Sequence, residues 1–259
     1  MDDEERLAAV GATAVTVAVC RAAEGRRPQP WFVDPIAEHV ERIAETAPEQ
    51  KVRPGLVFWL AVRTRFLDEL LADATSNGID QIVLLGAGLD ARAFRLDWPA
   101  GTRLFEVDRA SVIALKDRLV DELRLQPRCD RRTVVADLGE PDWLDALAAQ
   151  GWQSERSTCW IAEGLFVYLD AEGRDALLRE LASVGNGRLG ATFTSAQRAA
   201  QVELFSSGVD GDAQALLAQV GWNGVVKALP EVAASYGRPI MRDSSRASSA
   251  LLVDAVTRS

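Results

Sequence analysis

The apolar run Ile82-Val83-Leu84-Leu85 stops abruptly at Gly86-Ala87-Gly88-Leu89-Asp90-Ala91, and the next run, Leu104-Phe105-Glu106-Val107-Asp108, ends on an acid. Short apolar runs bounded by turn residues predict buried strands of a parallel sheet. Further strands are expected at Thr133 to Ala136, Thr158 to Ala162 and Leu189 to Thr194. Gly224 to Ala228 is a possible strand, and Ala250 to Val256 reads as an edge strand in preference to a helix. Helical periodicity fills the intervals: Ala91 to Phe94, Ala110 to Leu123, Trp143 to Ala149, Ala171 to Val184, Ala196 to Phe205, Ala213 to Val220 and Glu231 to Tyr236. Before the first strand the pattern is wholly helical. Leu7 to Ala23 ends near Gly25; Pro35 to Ala44 starts after Asp34 as N-cap; Leu56 to Ala74 is closed by Asn77-Gly78. Alternating strands and helices imply parallel pairing with right-handed crossovers. The expected architecture is a single α/β domain over 1–259, with residues 1–77 as an N-terminal helical lid and 78–259 as a doubly wound, mostly parallel, seven-stranded sheet.

Composition narrows the partners. A chain of 259 residues that is 48% hydrophobic can fill a sizeable core, and a net charge of −9 argues against a nucleic-acid partner, whose phosphates it would repel. No apolar run approaches the roughly 18 residues that span a bilayer, and the start, Met1-Asp2-Asp3-Glu4-Glu5, is acidic where a secretory leader is basic, so a cytoplasmic location is expected. Cys20, Cys129 and Cys159 are widely spaced, and His39 is the only histidine; neither a disulfide framework nor a metal site is expected.

The candidate chemistry lies at the strand ends. Glycines directly after the first strand permit a sharp turn and close approach of backbone to ligand, and an acid about twenty residues on is placed to accept from a ribose diol. Asp108 is the stronger ribose candidate and Glu106, two residues earlier, the weaker. The turn alone fits NAD and S-adenosylmethionine (SAM) equally, and also a turn with no ligand. Asp137-Leu138, after the third strand, can offer an acceptor and an apolar face to an adenine ring; Asp137 alternatively caps a helix near Pro141. Glu163 ends the fourth strand near the switch point, where a cationic ligand group would lie, or it is simply solvated. Arg63 and Arg65 cannot share a helix face, so one can grip a carboxylate while the other meets solvent.

These segments resemble the leucine carboxyl methyltransferase family. The resemblance rests on Arg63-Thr64-Arg65-Phe66-Leu67-Asp68, Leu85 to Arg92, Phe105 to Asp108, Ala136-Asp137-Leu138 and Ala162 to Leu169, in that order. Gly11 to Ala14, Arg21-Ala22 and Asp34 to Ala37 are similar to its bacterial branch. The resemblance implies a class I, Rossmann-like methyltransferase fold, SAM as cofactor and S-adenosylhomocysteine as product. By its pattern Arg21 and Arg63 would hold the methionine carboxylate, with Gly86 and Gly88 beneath the methionine portion. Asp108 would hold the ribose, Asp137 and Leu138 the adenine, and Glu163 would sit near the methionine amino group.

The expected activity is O-methylation of a hydroxyl or carboxyl on a small molecule, of the polyketide type met in bacterial secondary metabolism. The alternatives are methylation of a protein C-terminal carboxylate, an NAD-dependent oxidoreductase, or a silent SAM-binding protein. A carboxylate acceptor needs no base, whereas a hydroxyl benefits from one; Tyr168 and His39 are the candidates. Trp31, Phe32, Phe58 and Trp59 are candidates to wall an acceptor pocket, and the segment from Thr194 to Tyr236 to set acceptor specificity. The oligomeric state, monomer or dimer, is open.

Overall fold

The computed structural model describes residues 12–44, 54–200, 202, 205–209, 211–238 and 250–258. In chain order its elements are α1 (Ala12–Gly25), α2 (Pro35–Ala44), α3 (Pro54–Ser76), β1 (Gln81–Leu85), α4 (Arg92–Arg95), β2 (Arg103–Asp108), α5 (Ala110–Glu122), β3 (Asp130–Val135), α6 (Trp143–Ala149) and β4 (Thr158–Ala162). A 3-10 turn (Phe166–Tyr168) precedes α7 (Ala171–Ser183), β5 (Gly187–Thr194), α8 (Ala196–Ala199), α9 (Ala213–Gln219), β6 (Trp222–Ala228), α10 (Leu229–Ser235) and β7 (Ala250–Thr257). The seven strands form one sheet in the order β3-β2-β1-β4-β5-β7-β6, parallel except for β7. No helix among the described residues is long and apolar enough to cross a membrane.

Strand alternation divides the core in two. Ile82, Leu84, Leu104, Cys159 and Ile161 face α1 to α5 and α10, whereas Val83, Leu85, Phe105, Val107, Trp160 and Ala162 face α6, α7 and α9. β1 and β4 are buried at every position, as central parallel strands must be. The second core is organised by tryptophans: Trp160 packs at 6.3 Å from Trp143 and 5.6 Å from Trp152. Two of these indoles donate to side chains, Trp143 to Glu180 at 2.9 Å and Trp152 to Thr158 Oγ1 at 3.0 Å. On the first face, Glu106 is fully buried between Lys116 Nζ (2.8 Å) and Arg131 Nη2 (2.8 Å), and so ties α5 and β3 to β2.

Several boundaries differ from expectation. Residues 7–11, part of the first expected helix, lie outside the described residues. The Asp34 cap forms as expected, its Oδ1 accepting from Ala37 N at 2.9 Å. Gly78, at φ +90°, ends α3. The helix expected over Ala196 to Phe205 stops at Ala199. The chain there returns to the sheet: Val209 N donates to Thr194 O, Ala196 N to Val209 O, and Ser206 N to Val167 O. These backbone bonds tie the segment after α8 to the end of β5 and to the 3-10 turn. The last strand is not at the edge: β7 lies between β5 and β6 and pairs with both.

Lys116→Met leaves one Glu106 oxygen buried without its cation while Arg131 still holds the other. Urea titration should show a loss of about 3 kcal/mol of unfolding free energy. A loss under about 1 kcal/mol would mean that Arg131 alone neutralises the carboxylate.

Candidate active site

Strand order reverses between β1 and β4, and sheets of this kind carry their ligand crevice at such a switch point, outside the carboxyl ends of the strands. Gly86 and Gly88 take φ of +62° and +50°, values that side chains disfavour, and a Cβ on Gly86 would stand 3.2 Å from Leu165 of the β4 loop. The glycine turn is stitched to the adjoining strand ends: Ala87 N donates to Val107 O, and Ala136 N to Asp108 O, both at 3.1 Å. Asp108 closes this seam. Its Oδ2 accepts from Gly88 N and its Oδ1 from Arg109 N, each at 2.7 Å. Each oxygen retains a lone pair for a further donor. One strand along, Asp137 is exposed and accepts from Gly139 N at 3.0 Å, forming a local turn; the N-cap position of α6 is Asp142, which makes no side-chain cap. Leu138 is half-buried against the second core.

On the other wall of the crevice, four chain segments converge on one carboxylate. Glu163, immediately after β4, presents Oε1 to Arg21 Nη2 of α1 at 2.8 Å and to Arg63 Nε of α3 at 2.9 Å. Arg92 Nη1, at the start of α4, pairs with Oε2 at 2.6 Å. Arg92 is fully buried; its Nε donates to Asp68 at 2.7 Å, its Nη1 pairs with Asp90, and its backbone N donates to Asp90 Oδ1 at 2.7 Å. Arg95 completes the group with two bonds to Asp68, at 2.7 and 2.8 Å. Burial works to raise the Glu163 carboxyl, but Arg92, Arg21 and Arg63 outweigh it and hold it well below the ordinary 4.5. Burial likewise opposes ionisation of Asp90, and Arg92, Arg21 and Lys116 overcome it. For Arg63, burial outweighs its attraction to Glu163 and draws its pKa down, yet a guanidinium stays charged at neutral pH.

The guanidinium groups are not saturated by this arrangement. Arg21 Nε is buried without a partner. Arg63 donates from Nε alone to the described residues; its terminal nitrogens lie by the Gly164 backbone, where a Cβ would come within 3.0 Å of Nη1, and the group stands 4.6 Å from the Trp59 ring centre. An incoming carboxylate would meet spare donors of the geometry it needs. Arg65, on the opposite face of α3, is not merely solvated: it pairs with Glu69 at 2.8 Å and stacks on Tyr236 and Trp31 at 4.0 and 5.0 Å. Trp31 and Phe32 line a groove of about 540 Å³ with Arg65, Asp68 and Arg95, whereas Phe58 and Trp59 are not part of its wall.

The two candidate bases part company. Tyr168 lies on the 3-10 turn that follows β4, 40% exposed, its ring 6.0 Å from Phe205. His39 is not brought to the site: it lies against Glu122 (3.4 Å) and Arg42 (3.1 Å). Glu122 ends α5, which leaves the crevice edge and runs roughly 20 Å toward the opposite edge of the sheet. Sequence reasoning missed Arg92, Asp90 and Asp68 as members of the cluster. One signal was present: Thr64 and Asp68 are four apart on α3, hence on one face, and both point to the wall that Arg63 serves.

Comparison with known proteins settles the family. The leucine carboxyl methyltransferase family model matches residues 14–182, more than half of the chain. The chain belongs to that family. A Streptomyces avermitilis relative named "Putative S-adenosyl-L-methionine-dependent methyltransferase" is 39% identical over 269 residues, covering 95% of each chain. A crystal structure from the same organism superposes with a TM-score of 0.61 at 14% identity, covering 93% of this chain and 97% of that one. Magnesium protoporphyrin IX methyltransferase from Synechocystis, solved with bound SAM, gives 0.52 at 13% identity, covering 85% and 91%. At such identities the structural likeness speaks for the fold, a class I methyltransferase sheet. The family match spans α1 through nearly all of α7, and so includes every segment that meets at Glu163.

Because the folded Glu163 carboxyl titrates below its ordinary value of 4.5, its contribution to stability is complete above about pH 4.5 and is lost as the pH falls toward the folded value. Thermal melts of the family member carrying Glu163→Gln should therefore show a shallower loss of melting temperature between about pH 5 and 3 than the native chain. Parallel slopes would show that the arginines do not hold Glu163 ionised.

Proposed function

We propose that the chain transfers the methyl group of SAM to a hydroxyl or carboxyl oxygen of a small molecule, in the manner of bacterial secondary metabolism. Membership of the family makes it a SAM-dependent methyltransferase, and this removes the NAD-dependent alternative that the glycine turn left open. The placing of the cofactor is supported by one observation: Arg21, Arg63 and Glu163, from α1, α3 and the end of β4, meet in a buried cluster beside the glycine turn that Asp108 closes. The residues present fit the cofactor. Arg21 and Arg63 retain donors for a carboxylate, Glu163 offers charge to an ammonium, and Asp108 has lone pairs for a diol. Asp137 and Leu138 would take the adenine.

Bound SAM supplies a methyl already activated on a sulfonium. What remains for the protein is alignment and exclusion of water. The glycine turn lets backbone approach the cofactor closely, while Arg21 and Arg63 fix its amino-acid end. An ionised carboxylate acceptor needs no base, which suits a chain whose only histidine lies at the far edge of the sheet. For a hydroxyl acceptor, Tyr168 on the 3-10 turn is the available phenol.

Calorimetric titration with S-adenosylhomocysteine should show binding that Asp108→Ala and Arg63→Ala each weaken by about ten- to a hundred-fold, the effect of losing a charged hydrogen bond. An absence of binding to the native chain at millimolar ligand would sink the reading. Transfer of labelled methyl to hydroxylated and carboxylated small molecules, with a peptide bearing a free C-terminus as competitor acceptor, separates the acceptor classes. Labelling of the peptide alone would replace the small molecule by a protein.

A further inference from the structure

We propose that Arg92 is a positioning residue: it fixes Glu163, and through Glu163 the arginines Arg21 and Arg63, in the arrangement that receives the amino-acid end of the cofactor. This rests on the preceding reading of the site. Glu163 Oε1 is shared by Arg21 and Arg63, with Thr64 Oγ1 at 3.5 Å, whereas Oε2 accepts no hydrogen bond and is held by the charge of Arg92 Nη1, 2.6 Å away. Arg92 reaches that oxygen from behind the crevice, and its remaining donors are anchored on other segments. Nε lies on Asp68 and Nη2 on the Thr64 carbonyl (3.4 Å), both in α3; Nη1 also meets Asp90 at the end of the glycine turn. One planar group thus sets α3, the glycine turn and the end of β4 at fixed separations. A lysine would keep the charge but not the fork, because an ammonium on a flexible stem cannot span Asp68 and Glu163 together. Arg92 has no exposed surface of its own, so its effect on a ligand passes through Glu163.

The test compares two ligands that share the adenosine and differ at the other end. S-adenosylhomocysteine carries the amino-acid group; methylthioadenosine lacks it. Arg92→Lys should weaken S-adenosylhomocysteine by about ten-fold or more and methylthioadenosine by less than about two-fold. Equal weakening of both would assign Arg92 a purely structural role and overturn the proposal, as would undiminished affinity for S-adenosylhomocysteine. In a cycle with Glu163→Gln, the double variant should bind S-adenosylhomocysteine no more weakly than the weaker single variant; additive losses would show that Arg92 acts independently of Glu163. Should Arg92→Lys fail to fold, Asp68→Asn loosens the Nε anchor together with the two Arg95 bonds on the same carboxylate, and the same selective loss, of about three-fold or more, is expected. A native chain that binds neither ligand removes the functional reading and this proposal together; one that binds both, with Arg92 and Asp68 variants unselective, removes only the proposal.

Discussion

The constraint on which the site depends is the sharing of the Glu163 carboxylate by three guanidinium groups away from water. Taking charges out of water costs several kcal/mol for each ion, and mutual attraction offsets that only when geometry and hydrogen bonding are good. Here Arg21, Arg63, Arg92 and Arg95 are set among Glu163, Asp90, Asp68 and Asp34, so the buried charges balance. Such a network gives modest net stability compared with apolar packing of equal volume. Its value is geometric: each member has few alternative positions, because moving one leaves another unpaired. Asp34 shows what incomplete pairing does. Its Oδ2 is buried without a partner, and burial pushes its carboxyl up despite Arg21 and Arg95 nearby.

The same network explains how helices outside the sheet come to serve a sheet-edge site. α1 packs on α2 and α3 through small apolar residues such as Val15, Ala18 and Ala22, contacts that give area but little register. Arg21 supplies the register, because a slip of one residue would carry its guanidinium off Glu163 by about 100° of helix rotation. A second fastening lies further out. Arg238, just after α10, stacks on Trp31 at 3.9 Å and pairs with Glu24 at 2.7 Å, while Arg65 bridges Trp31 and Tyr236. The N-terminal helices are therefore tied at two places to residues far along the chain.

Much of this was legible in the sequence, for reasons that differ from element to element. β1 and β4 could be read because a strand buried on both faces must be apolar throughout, and the glycine turn because positive φ selects glycine. Asp108 could be placed by its distance from that turn. Arg92 could not, since an arginine one residue past a turn looks the same whether it is solvated or fully buried. Only the third dimension shows that Asp68, Glu163 and Asp90 surround it. Glu106 and Asp108 share a strand face, so alternation could not separate them; the separation comes from Lys116 on the overlying α5. The short α8 was misjudged because one partner of the following segment, Val167, lies about 40 residues earlier, and the other, Thr194, is reached only when the chain folds back on the end of β5. His39 stands on α2, whose placement against the far end of α5 has no local sign.

The position of β7 has a consequence for how the molecule is made. Residues 250–256 pair with β5 on one side and 251–257 with β6 on the other, and β6 has no other neighbour in the sheet. As the polypeptide leaves the ribosome, five parallel strands and both walls of the crevice are available before the seventh strand exists. β6 must wait, its backbone amides answered by water, until the final segment arrives and slides in as a wedge. The part of the protein that carries the chemistry can thus be assembled while residues 195–259 are still being translated.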